Sequence, residues 1–118
     1  MAMKLYQYPK CSTCRKASKF LTANGVEFTS IDITEHPPKK VELKAMLASY
    51  DGDIRKLFNT SGVQYRELNM KEKLPSMSEQ QAIDLLAENG KLIKRPFLLS
   101  ADRKGIVGFK ETHWENFI

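Results

Sequence analysis

Two cysteines, Cys11 and Cys14, stand three residues apart in the stretch YPKCSTCRKA, Tyr8 to Ala17. At the start of a helix this spacing puts both thiols within one turn on the same side. Their Cα atoms then lie inside the roughly 4.4 to 6.8 Å that a disulfide spans, so the bond can close and open without moving the backbone. If Cys11 caps the helix, unpaired amides and the positive end of the helix dipole favour its thiolate, and Lys10 and Arg15 on the flanks add positive charge. Cys11 is the expected nucleophile. Cys14, further in and facing the core, is then the thiol that attacks a mixed disulfide and releases product. Two other readings stay open: a pair of structural thiols, or half of a zinc site. A Cys2His2 site would need His36 and His113, which lie far apart and lack paired ligand spacing, so no metal is expected.

Arg95, followed by Pro96 in LIKRPFLLS, is the second chemical feature. An X-Pro bond at the entrance of a buried strand can be cis. A guanidinium there can hold an anionic group or stabilise a thiolate, because its planar donors suit carboxylates and oxyanions. The plain alternative is a surface arginine beside an ordinary trans proline.

These side chains need elements to hold them. MKLYQY reads as a short strand stopped by Pro9, and Cys14, Ala17, Phe20 and Leu21 recur at helical spacing from Ser12 to the left-handed stop Asn24-Gly25. VEFTSIDI is a second strand, with Phe28, Ile31 and Ile33 for a core, and completes a βαβ unit with a right-handed crossover expected. The cysteines sit at its first strand-to-helix turn. Pro37-Pro38 opens a helix through Val41, Leu43, Met46 and Leu47, Asp53 looks like the cap of a short IRKLF turn, and NTSGVQYREL reads as a loop. Ser78 and Gln81 form a capping-box pattern before Ala82, Ile83, Leu85 and Leu86, and Asn89-Gly90 stops that helix. LIKRPFLLS and IVGF, joined by ADRKG, predict a hairpin. Thr112 and Glu115 repeat the capping-box spacing, predicting a terminal helix that turns Trp114 and Phe117 or Ile118 inward. The resulting class is α/β, consistent with a thioredoxin-like fold with a helical insert between the βαβ unit and the C-terminal hairpin and helix, an order that other small α/β folds share.

At 118 residues the chain suits one domain, 1–118, with one packed layer system. No apolar run nears the roughly 18 residues that span a bilayer, so no membrane role is expected. MAMKLYQYPK lacks a signal-peptide pattern, which points to the cytoplasm, where paired cysteines serve catalysis or sensing rather than permanent crosslinking. The net charge of +5 is interleaved with acids in KKVELK and NMKEKL, a solvated face rather than a dedicated surface for sequence-specific nucleic-acid binding.

In combination, YPKCSTCRKA, DITEHPPKKVELKAML, FNTSGVQYREL, LIKRPFLL and IVGFKE resemble the arsenate reductase-like family that includes ArsC, the YffB/YusI-type proteins and the Spx/MgsR regulators. The resemblance covers nearly the whole chain and is nearest to the YusI-type branch. It implies a thioredoxin-like core with a helical insert and the nucleophile at Cys11. The three arginines of the family's oxyanion site match here only at Arg95; the second position falls near Asn59 and the third near Lys104 and Gly105. Family reductases often carry serine at the place of Cys14, so the resemblance implies a thiol reductase acting on a small thiol or oxyanion. It binds no cofactor, and glutathione or a thioredoxin or glutaredoxin protein serves as electron donor and redox partner. The alternative it implies is a redox-sensing regulator that binds the C-terminal domain of the RNA polymerase α-subunit, with Asp51-Gly52 in the contact region.

Overall fold

The computed structural model describes residues 3–118. Its sheet has the strand order β2-β1-β3-β4, with β1 at Met3–Gln7, β2 at Phe28–Asp32, β3 at Phe97–Leu99 and β4 at Gly105–Val107. β1 and β2 are parallel, Tyr6 opposite Ile31, and parallel neighbours need a crossover. Helix α1, Ser12–Ala23, supplies it, burying Cys14, Ala17 and Leu21. It ends as the sequence predicts, with Gly25 at φ +70, a conformation that suits glycine. β3 runs antiparallel to β1, pairing Leu98 with Leu5, and β4 runs antiparallel to β3.

Successive strand residues point to opposite faces, and both faces of this sheet are covered. On one, Leu5 and Leu98 pack with Ala17 and Leu21 of α1 and with Trp114 of α6, Glu111–Phe117. On the other, Tyr6, Phe97 and Leu99 meet α2, Lys40–Ser49, α5, Glu79–Glu88, and the short helices α3, Val63–Glu67, and α4, Met70–Lys73. A βαβ unit, a helical insert and a hairpin followed by a helix make this a thioredoxin-like α/β fold.

Two anchors fix the insert. The Ser78 hydroxyl accepts from the Gln81 amide at 3.1 Å, and the Gln81 side chain accepts from the Ser78 amide at 2.9 Å, closing the capping box. At the start of α2 the buried carboxylate of Glu42 accepts from the Lys39 amide at 3.0 Å, the Tyr6 hydroxyl at 2.7 Å and Lys4 Nζ at 3.1 Å, tying α2 to β1.

Several local expectations are corrected. Val41 is half exposed, so the core stripe of α2 runs through Leu43, Met46 and Leu47 alone. Asp53 precedes the 3-10 turn Ile54–Leu57, but its side chain makes no capping bond. NTSGVQYREL is not a loop throughout, because α3 begins at Val63 and buries Tyr65. α6 starts at Glu111 after Lys110, which puts Thr112 inside the helix, and Phe117 turns partly inward while Ile118 stays exposed. Strand β3 is only three residues long, Phe97–Leu99, and upstream of it Ile93 forms an isolated antiparallel bridge to Phe58 that carries the insert alongside the approach to Arg95. Phe28 and Ile31 are half-buried because β2 is an edge strand. Gly90 does not form a left-handed stop. It is glycine because a Cβ there would lie 1.8 Å from the Ile33 carbonyl oxygen.

Candidate active site

Cys11 is the N-cap of α1, in extended conformation (φ −91, ψ 116). Pro9 ends the strand, and the turn closes when the Cys11 amide donates to the Tyr8 carbonyl at 3.0 Å. The Cys14 amide then donates to Cys11 Sγ at 3.3 Å, so the sulfur occupies the position that a serine or aspartate oxygen takes in an ordinary cap. Both thiols are free; Cys11 is half-buried and Cys14 fully buried.

Their acidities diverge. Burial works against a Cys11 thiolate, but the Cys14 thiol and amide, the Arg95 guanidinium and the Thr13 amide outweigh it and hold the Cys11 thiol below its ordinary value. For Cys14 burial dominates and, with Cys11 alongside, pushes the thiol up to about 12 despite the Tyr8 backbone and Arg95. One turn of helix thus carries an acidic, accessible sulfur and a buried sulfur that keeps its proton.

Arg95 is the cation that acts on Cys11. Its peptide bond to the buried Pro96 is cis, and its guanidinium carbon lies 4.8 Å from the centroid of the Tyr8 ring, a cation–π geometry. Its Nη1 is buried and has no hydrogen-bond partner among the described residues, leaving a donor for an anionic ligand group. Lys10 and Arg15 are exposed and are not among the groups that shift Cys11. Arg15 instead borders a separate depression with Gln7 and Asp32. Of the cations the sequence offers, Arg95, more than eighty positions away along the chain, is the one that lowers the Cys11 thiol.

Cys11 and Arg95 open into a cleft of about 840 Å³. One wall is the 3-10 turn and the loop after it, with Arg55, Lys56, Asn59 and Ser61; the other runs from the end of β4 into α6, with Gly108, Lys110, His113 and Trp114. The second wall is braced from behind: the Gly108 amide donates to the Pro96 carbonyl at 2.9 Å and Trp114 Nε1 donates to the Gly108 carbonyl at 2.8 Å. Of the positions matched to family arginines, Asn59 lines the cleft. Lys104 and Gly105 do not; Gly105 is buried against Met46 and Lys104 lies exposed in the hairpin turn. Tyr8, Arg55, Lys56, Lys94 and Lys110 escaped sequence reasoning, although Tyr8 and Lys94 directly flank the two motifs. Among the described residues no group of three or more His, Cys, Asp or Glu converges on a possible metal position, and no helix is long and apolar enough to cross a membrane.

A thioredoxin-like sheet that presents a capping cysteine at its first strand-to-helix turn defines a thiol redox fold. Residues 6–117 match the ArsC family, and the chain belongs to that family. It is 53% identical to the uncharacterized protein YusI of Bacillus subtilis, over 98% of this chain and 97% of that one. It is 30% identical to the global transcriptional regulator Spx of Enterococcus faecalis, over 98% and 86% of the two chains. A crystal structure of an ArsC family related protein from Bacteroides fragilis superposes with a TM-score of 0.91 at 46% identity, covering 100% of this chain and 98% of that one.

Proposed function

We propose that this protein is a thiol-disulfide reductase. The observation that carries the reading is the sulfur-capped helix start, where Cys11 Sγ accepts the Cys14 amide at 3.3 Å beside Arg95 while Cys14 stays buried and protonated. The Cys11 thiolate attacks one sulfur of a substrate disulfide. That S–S bond breaks as the new one to Cys11 forms, and the departing thiolate takes a proton from solvent. Cys14 then gives up its proton and attacks Cys11 Sγ, displacing the second substrate thiol. Two electrons have passed to the substrate and the chain is left with a Cys11–Cys14 disulfide. Two thiols from glutathione, or from a glutaredoxin- or thioredoxin-type dithiol protein, restore it. Mixing the reduced protein with a small disulfide should give a monomer two hydrogens lighter, and Cys14→Ser should stop at a mixed disulfide on Cys11. Intermolecular dimers alone, or two untouched thiols, would remove the mechanism.

A second reading rests on a different feature. Asp51 and Gly52 form an exposed turn directly after α2, both at positive φ (55 and 81), and the chain is similar to Spx along nearly its whole length. That supports a redox-sensing regulator that uses this turn to dock on RNA polymerase, at the C-terminal domain of the α-subunit, with the disulfide as its switch. Retention on that domain in immobilised form, lost in Gly52→Arg and in the absence of disulfide turnover, selects the regulator. Turnover without retention selects the reductase.

A further inference from the structure

The cleft beside Cys11 is charged far beyond what a thiol exchange needs. Arg55, Lys56, Lys94, Arg95 and Lys110 line it against one acid, Asp53. Among the described residues none of these five cations is ion-paired, whereas Lys4 and Lys40, on other surfaces, each hold a carboxylate. Lys94 is built in: its amide donates to the Leu57 carbonyl at 2.7 Å, and its side chain runs so near Gly108 that a Cβ there would lie 3.2 Å from Lys94 Cε. The volume of about 840 Å³ fits a ligand of many atoms rather than a single tetrahedral oxyanion.

We infer that the cleft selects disulfides of low-molecular-weight thiols bearing several anionic groups, phosphates or carboxylates, with Arg55, Lys56, Lys94 and Lys110 reading the charges while Arg95 stays beside the reacting sulfur. The inference rests on the reductase reading and adds its substrate class. A cleft lined by one sign of charge raises the encounter rate of the opposite sign by roughly 10- to 1000-fold, an effect that salt removes. The electron balance is that of the exchange above: the disulfide gains two electrons and leaves as two thiols, and Cys11 and Cys14 become a disulfide.

Single-turnover kinetics test this without an external donor. Pre-reduced protein is mixed with coenzyme A disulfide, oxidised glutathione, hydroxyethyl disulfide or cystamine, quenched by alkylation and weighed. Each rate is divided by that of the same disulfide with free cysteine. The expected order is anionic above neutral above cationic, with at least ~10-fold between an anionic and the neutral disulfide. The difference should collapse in ~1 M salt, where the screening length falls to ~3 Å. The ranking of coenzyme A disulfide against oxidised glutathione tells phosphate from carboxylate recognition. Lys56→Gln with Lys110→Gln should cut the anionic-to-neutral ratio at least ~3-fold, and Lys71→Gln, outside the cleft, should leave the ratio as it was. Equal normalised rates for anionic and neutral disulfides overturn the charge selection while the reductase reading stands. Failure of every disulfide to modify Cys11 overturns the reductase reading itself. A glutamate-rich peptide disulfide outpacing both small anions overturns the small-molecule class in favour of a protein substrate.

Discussion

A sulfur atom that caps a helix is held by the backbone and activated by it at once. The Cys14 amide that fixes Cys11 Sγ also favours its anion, and the Arg95 guanidinium adds its attraction. Alkylation follows the thiolate, so the Cys11 rate should reach half its plateau below pH 9.0, the ordinary thiol value, while native Cys14 stays unlabelled until near pH 12. Arg95→Ala removes the attraction and should move the Cys11 midpoint upward. Peptide mapping after iodoacetamide across a pH series reads both, and preferential labelling of Cys14 would reverse the two roles. The pair was legible in the sequence because its spacing and its place after Pro9 are local facts. The charge on the pair was read from two places, the flanks Lys10 and Arg15 and the Arg95-Pro96 step. Lys10 and Arg15 stand next to it in the chain, yet helix geometry leaves them exposed, and the cation that counts arrives with a strand near the other end of the sequence.

At the scale of elements, two glycines and one carboxylate carry distinct loads. Gly90 lets the segment after α5 lie against the backbone of Ile33, and a methyl group there would meet a carbonyl oxygen that cannot swing aside. Gly90→Ala should cost about 2–4 kcal/mol, read as a lower urea midpoint at unchanged slope. Gly105→Ala would press on the thioether end of the buried Met46 side chain and lie 3.3 Å from the Leu98 carbonyl oxygen; the thioether can shift more easily than backbone, so its cost should be about 1–3 kcal/mol. Glu42→Ala strands the Tyr6 hydroxyl and the Lys39 amide and should cost about 2–3 kcal/mol. Burial opposes the Glu42 carboxylate, but the Lys39 amide, Tyr6 and Lys4 prevail and hold its pKa below the ordinary 4.5. A depressed folded value means that this stabilisation is complete above pH 4.5 and fades as the pH falls through that lower value, so the gap between Glu42→Ala and the parent should narrow in acid. The Ser78 box and the Asn24-Gly25 stop were readable because each lies within a few residues. The same pattern at Thr112 misled, since the N-cap is Lys110, two residues earlier, and Asn89-Gly90 looks like a helix stop although a tertiary approach demands the glycine.

Across the molecule, the alternation of one short strand decides the layering. Leu5 and Tyr6 face opposite ways, and each finds its own set of helices. The βαβ unit, the hairpin and the terminal helix follow from sequence pattern, which is why the α/β class could be read in advance, whereas the strand order and the two-sided burial emerge only in the assembled sheet. The cleft could not, because its walls come from residues 55–61 and 106–114, segments that periodicity describes only as a turn, a loop and the edge of a hairpin. They meet because Ile93 bridges Phe58 and the Gly108 amide reaches the Pro96 carbonyl. That second wall ends on Trp114, the sole tryptophan of the chain, buried, bonded through its indole to Gly108 and edge-on to Phe20 and Phe109. Light emission at indole wavelengths therefore has a single source, placed on the cleft that holds Cys11. Disulfides quench excited indole by accepting an electron more readily than thiols do. Oxidation should change the brightness at constant colour, and unfolding should shift the colour to the red. A titration with oxidised dithiothreitol, followed by fluorescence and by mass in the same samples, should give coincident curves in the parent chain, with the brightness step absent in Cys14→Ser.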